Sequence, residues 1–171
     1  MPIKNFVIEL DSTDIADCVK ATDERINMIK QNGYQHRSTT LTVASDPMNR
    51  AGHYQAFVTE LAAARYFGVQ YNFDIGPDGL RKDLVIGCQV RSTLHRRGNL
   101  IVYEYDKPAP FILAIPLESG HEIVLAGWRD LVDCRLEKYW RTQPSVRQES
   151  WWVPQHDLYD MVSLKAKMMM V

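Results

Sequence analysis

Apolar residues recur along this chain with two different periods, and each period predicts a different kind of element. Residues 5–10, Asn-Phe-Val-Ile-Glu-Leu, are an apolar run of strand length. Asp11 or Ser12 can then cap a helix, because a side-chain oxygen at that position satisfies free amides of the first turn. Ile15, Cys18, Val19, Thr22, Ile26 and Ile29 return every three or four residues and so share one helical face. Gly33 marks the end of that helix. Residues 34–47 are polar and irregular and predict a loop with room for one short strand. A second helix is predicted over 49–67, with Tyr54, Phe57, Val58, Leu61 and Ala62 as its apolar stripe and Gly68 as its stop.

After Gly68 the runs shorten, to 69–75, 84–86, 88–93, 100–105, 111–117 and 122–128. Turn residues divide them, among them Gly76-Pro77-Asp78-Gly79, Gly98-Asn99 and Ser119-Gly120. Such spacing predicts strands joined by hairpins in one central mixed, mostly antiparallel sheet. The tail predicts a helix near 130–140, an extended Trp151-Trp152-Val153-Pro154 segment and a last helix near 155–168. Helices and strands in this order predict an α+β protein whose sheet is flanked by helices.

Composition narrows the class. The 171 residues are 46% apolar and contain no repeat, low-complexity tract or linker, so a single domain over 1–171 is expected. Its parts are an N-terminal strand, helix and loop over 1–47, a core over 48–129 and a helical extension over 130–171. No apolar run approaches the ~20 residues of a membrane-spanning helix. The first residues lack the apolar stretch of a secretory signal, and a cytoplasmic location is expected. Cys18, Cys88 and Cys134 are odd in number and far apart, which argues against a disulfide framework and a zinc site and predicts three reduced, buried thiols.

Charge adds a local asymmetry. Twenty Lys and Arg oppose 21 Asp and Glu, which excludes a uniformly basic surface. The first two dozen residues are acid-rich, with Glu9, Asp11, Asp14, Asp17, Asp23 and Glu24. The stretch 81–97 carries Arg81, Lys82, Arg91, Arg96 and Arg97 against Asp83 alone. Inside it lies Asp83-Leu-Val-Ile-Gly-Cys-Gln89-Val-Arg91. On a strand Gln89 and Arg91 share a face, while Cys88 and Val90 point the other way. Upstream, Glu60 stands mid-helix among Ala56, Ala63 and Ala64, small residues that let another element approach its carboxylate. Asp74 rivals Asp83 as the central carboxylate, and Asp78-Gly79 reads as a β-turn.

Glu on a helix, then Asp, then Gln-x-Arg on the next strand resembles the PD-(D/E)XK, or restriction-endonuclease-like, nuclease superfamily. The phrases Thr-Glu60-Leu-Ala-Ala-Ala-Arg-Tyr-Phe-Gly, Leu100–Asp106, Ile123–Trp128 and Trp152–Leu158 look like its small phage and bacterial members. The resemblance covers roughly 45–160. It implies a restriction-endonuclease-like core and Mg²⁺- or Mn²⁺-dependent hydrolysis of phosphodiester bonds in nucleic acid, DNA in the first place. Glu60, Asp83 and Gln89 would hold the ion, with Arg91 as the fourth catalytic residue and Lys82, Arg96 and Arg97 on the phosphate backbone.

Two positions depart from the commoner pattern. Gln89 replaces a Glu, which removes one negative charge from the ion's cage. Arg91 replaces a Lys, and a guanidinium cannot take a proton from water, although it can stabilise charge on the phosphate. These departures motivate an alternative, a catalytically inactive nuclease-fold protein that binds nucleic acid or a protein partner. A homodimer, the arrangement by which many nucleases of this fold cut two strands, is left open by the sequence. In the plainer reading Gln89 and Arg91 merely line the solvent face of a strand, His53 is a surface or packing residue, and His95-Arg96-Arg97 is a solvated hairpin loop. The four tryptophans then read as core or interface anchors.

Overall fold

The computed structural model describes residues 5–31, 49–73, 87–141 and 149–170. Its elements are β1 (Phe6–Glu9), α1 (Ser12–Gln31), α2 (Arg50–Phe67), β2 (Gln89–Ser92), β3 (Leu100–Tyr103), β4 (Pro110–Pro116), β5 (Glu122–Asp130), α3 (Leu131–Cys134), β6 (Trp140–Arg141), β7 (Ser150–Val153) and α4 (Met161–Met169). The class is α+β, with one mixed and one antiparallel sheet. None of the described helices is long and apolar enough to cross a membrane.

Both long helices form where the periodicity places them, and their ends have local causes. Asn49 caps α2 by accepting from the Gly52 amide, and Gly68 closes it in the left-handed region at φ 69°. At the start of α1, Asp11 accepts from the Asp14 amide while Asp14 reaches back to the Asp11 amide. That reciprocal pair satisfies two donors of the first turn.

The strands divide into two sheets rather than one. The larger runs β1-β5-β4-β2, antiparallel except for the parallel pair β4–β2, and the smaller runs β3-β7-β6. Neither β2–β3 nor β3–β4 is the predicted hairpin, because each connection crosses from one sheet to the other. Hydrophobic alternation fixes which face a residue takes and leaves open which strand lies beside it. The predicted helix over 130–140 is also resolved differently. It becomes the single turn α3, a 3₁₀ turn over Glu137–Tyr139 and β6, whose Trp140 pairs with Trp151. The last helix starts at Met161, later than predicted, where Asp160 caps it by accepting from the Ser163 amide. Residues 69–73 form no strand and return along α2; the predicted run 84–86 and the turn at 76–79 lie outside the described residues.

Three layers result. On one face of the larger sheet, Ile112, Ala114, Ile123 and Leu125 pack with Phe57, Leu61, Ala62 and Ala63 of α2, Cys18 of α1, and Met161 and Leu164 of α4. On the other face, Phe111, Leu113, Ile115 and Ala126 pack with Leu100 and Val102 of β3, Val153 of β7, and Leu131, Cys134 and Tyr139. β4 is therefore apolar on both sides, and its continuous run Phe-Ile-Leu-Ala-Ile is what a doubly covered strand requires.

A bulge sets the phase of β5. Leu113 pairs with Gly127 but Ala114 with Leu125, so Ala126 is the extra residue. The bulge turns Trp128 to the helix side, where its Nε1–H donates to the Asp160 carbonyl and the Ser163 hydroxyl and ties α4 to the sheet. Gly127 sits in the bulge at φ 147°, and a Cβ there would lie 2.7 Å from the Tyr159 carbonyl oxygen. Gly127→Ala is expected to cost roughly 1–3 kcal/mol. Urea unfolding should show a lower midpoint at unchanged slope, and an unchanged midpoint would refute the assignment.

Candidate functional site

Among the described strands β2 lies at the end of the larger sheet, and it is entered through Gly87 at φ 72°, a conformation that favours glycine. Val90 packs into the helix-side core, and the Ser92 hydroxyl accepts a 2.9 Å hydrogen bond from Gln55 of α2. Gln89 and Arg91 therefore project together from the opposite face, toward the smaller sheet. Their pairing agrees, since Gln89 stands beside Phe111 and Arg91 beside Leu113, both of the second core. The alternation predicted for this strand is what the structure has.

Arg91 does not stand open to solvent as the plainer reading had it. Its guanidinium pairs with Asp106 and lies 5.2 Å from the Phe111 ring centroid and 6.0 Å from that of Tyr103. The Asp106 side chain is 7% exposed, and its second oxygen accepts the Tyr103 amide at 2.8 Å. Arg135 completes the arrangement from across the fold. It donates to the carbonyls of Tyr103 and Glu104 at 2.7 Å and of Asp106 at 3.0 Å, and it lies over the Trp151 ring. Two arginines thus pin one four-residue turn, 103–106. Sequence reasoning noted Asp106 only as a strand end and passed over Arg135. No local signal marks an arginine that reaches carbonyls some thirty positions earlier.

Glu60 lies elsewhere. Half-buried on α2, it accepts a 3.0 Å hydrogen bond from the Tyr71 hydroxyl. Tyr71 meets Phe73 edge-on at 4.7 Å, and Phe73 leans on Phe57. Glu60 is thus on the helix side of the sheet, whereas Gln89 and Arg91 are on the other, and the described residues do not bring the three together. The alanines around it serve packing. Ala63 and Ala64 are fully buried, so their small size lets α2 seat closely and leaves the carboxylate where it is. Asp83, Lys82 and the rival Asp74 lie outside the described residues. Arg96 and Arg97 are exposed on the turn from β2 to β3, whose backbone is fixed by Gln155 donating to the carbonyls of Arg96 and Gly98.

The hard oxygen donors that suit Mg²⁺ are present in kind, as the Glu60 carboxylate and the Gln89 amide. Among the described residues, however, no group of three or more His, Cys, Asp or Glu stands together where it could hold a metal ion. No family model, no curated protein and no solved structure matches this chain.

The three cysteines are buried, as predicted, and none of them is in a disulfide among the described residues. Burial pushes Cys88 up to about 11 and Cys134 up to about 12. Both therefore stay protonated at neutral pH. The stability they contribute is intact below the ordinary thiol value of 9.0 and is lost as pH rises toward those values. At pH 8 an alkylating reagent should label neither until the chain unfolds, and rapid labelling of the folded protein would contradict their burial. A second prediction concerns the pinned turn. Asp106→Ala strands the largely covered Arg91 charge and should destabilise the fold by about 2 kcal/mol, discounted from a fully buried pair because Arg91 is part exposed. Asp106→Ala with Arg91→Met should recover part of that loss in thermal unfolding.

Proposed function

We propose that this chain hydrolyses phosphodiester bonds in nucleic acid, DNA in the first place, using a divalent ion held at the Gly87 end of β2. The observation that carries the reading is the placement of β2. It is the last of the larger sheet's described strands, docked on α2 through Gln55 and Ser92, with Gln89 and Arg91 on one face, and in sequence it follows directly the segment that bears Asp83. Asp83 precedes Gln89 by six positions, so the chain between them spans at most about 20 Å, and the reading requires it to bring the two oxygen donors to one ion.

An ion bound there would lower the pKa of a water and offset charge on the attacked phosphate. Asp83 supplies the charged ligand, and Gln89 an amide oxygen that no described side chain engages. Arg91 cannot serve as a base. Its guanidinium, set between Phe111 and Tyr103, is a fixed positive charge suited to orienting a phosphate. Glu60, on the helix side, is the member the reading needs least. Arg96 and Arg97, with Lys82, would contact the backbone by charge, an attraction that weakens steeply with salt.

One observation favours the inactive alternative. Asp106 already neutralises Arg91, which reduces the charge left for a phosphate. Incubation of the pure chain with plasmid DNA and Mg²⁺ or Mn²⁺ separates the two. Hydrolysis predicts nicking that falls at least a hundredfold in Asp83→Ala and in Gln89→Ala, and less in Glu60→Gln. Full activity in Asp83→Ala would reject the site. DNA retention without cleavage, unaffected by Mg²⁺, would establish the binding protein instead.

A further inference from the structure

The turn pinned by Arg91 and Arg135 presents an aromatic ring. Tyr103 and Tyr105 lie nearly parallel, 6° apart in plane with centroids 5.4 Å apart. Tyr105 is 63% exposed at the outer end of the pair. An exposed tyrosine on a turn ordinarily samples several rotamers and loses that freedom on binding. Here the backbone beneath it is fixed by five hydrogen bonds: three carbonyls of the turn accept from Arg135, the Asp106 carboxylate accepts the Tyr103 amide, and the Asp106 amide closes the turn onto the Tyr103 carbonyl. The backbone that carries the ring is thus fixed on folding, and the ring itself rests on Tyr103. Such a ring gives a flat, rigid π-face beside water, and Arg91 stands at the other member of the pair.

We propose that Tyr105 is a stacking platform for an unpaired nucleobase, so that the preferred ligand is single-stranded or frayed nucleic acid. Duplex bases have their faces covered by their neighbours, whereas an unpaired base can lie on an aromatic ring, a contact indifferent to base identity. Of the charges on the turn, Asp106 is spent on Arg91, and exposed Glu104 is matched by exposed Lys107. Arg135 beneath the turn leaves a single net positive charge, so phosphate attraction there is small and selectivity comes from the base face. The proposal deepens the nucleic-acid reading by naming the substrate's form, and it does not require hydrolysis.

Fluorescence anisotropy in EDTA tests it without cleavage, using labelled oligothymidylate, an abasic sugar-phosphate strand of the same length and a matched duplex. Oligothymidylate should bind more tightly than either control. Tyr105→Ala should weaken oligothymidylate on the order of tenfold, leave the abasic strand unchanged, and be rescued by Tyr105→Trp. Equal weakening of the abasic strand, or no effect on either, would overturn the platform, as would failure to bind any strand at low salt. Asp83→Ala should retain the Tyr105-dependent binding, so loss of cleavage and loss of stacking are read separately.

Discussion

The fold turns on β4 being apolar on both faces. Its alternate residues serve two cores at once, Ile112 and Ala114 toward the helices and Phe111, Leu113 and Ile115 toward the smaller sheet. Between β5 and β2, its two neighbours, it is the strand on which both layers pack. Lying beside β4, β2 has its two faces in the same two environments. Val90 and Ser92 belong to the helix layer, while Gln89 and Arg91 belong to the space between the sheets.

The division governs what the polar residues can do. An arginine directed between two sheets is desolvated and needs a partner, and Asp106 supplies it while Phe111 and Tyr103 cover the guanidinium. The same carboxylate holds the Tyr103 amide, so the charge pair also organises the turn that carries Tyr105. Arg135 adds bonds to three carbonyls of that turn and so fastens it to the rest of the fold. A residue proposed to act on phosphate and a residue proposed to stack a base are thus coupled through one ion pair.

The resemblance to PD-(D/E)XK nucleases rests on residue order, and the geometry weights its members unequally. Gln89 and Arg91 share a face next to the segment that contains Asp83. Glu60 does not join them, because α2 covers the opposite face and Tyr71 takes its carboxylate. Asp83 and Gln89 are therefore the pair on which the proposed hydrolysis would depend, and the pairing of Arg91 with Asp106 is what favours the binding alternative.

Local interactions made much of the fold readable from the chain alone. The 3.6-residue stripe and the Asn49 and Gly68 caps define α2, and the period of two places Gln89 and Arg91 together, because both patterns are settled by near neighbours. Tertiary structure decided the rest. Whether β3 pairs with β2 or leaves for a second sheet depends on which apolar faces meet, and no window of sequence contains both. The bulge that turns Trp128 to the helices, the Asp106 partner of Arg91 and the reach of Arg135 are contacts across long separations. They exist only once packing has removed the water that would otherwise satisfy those groups.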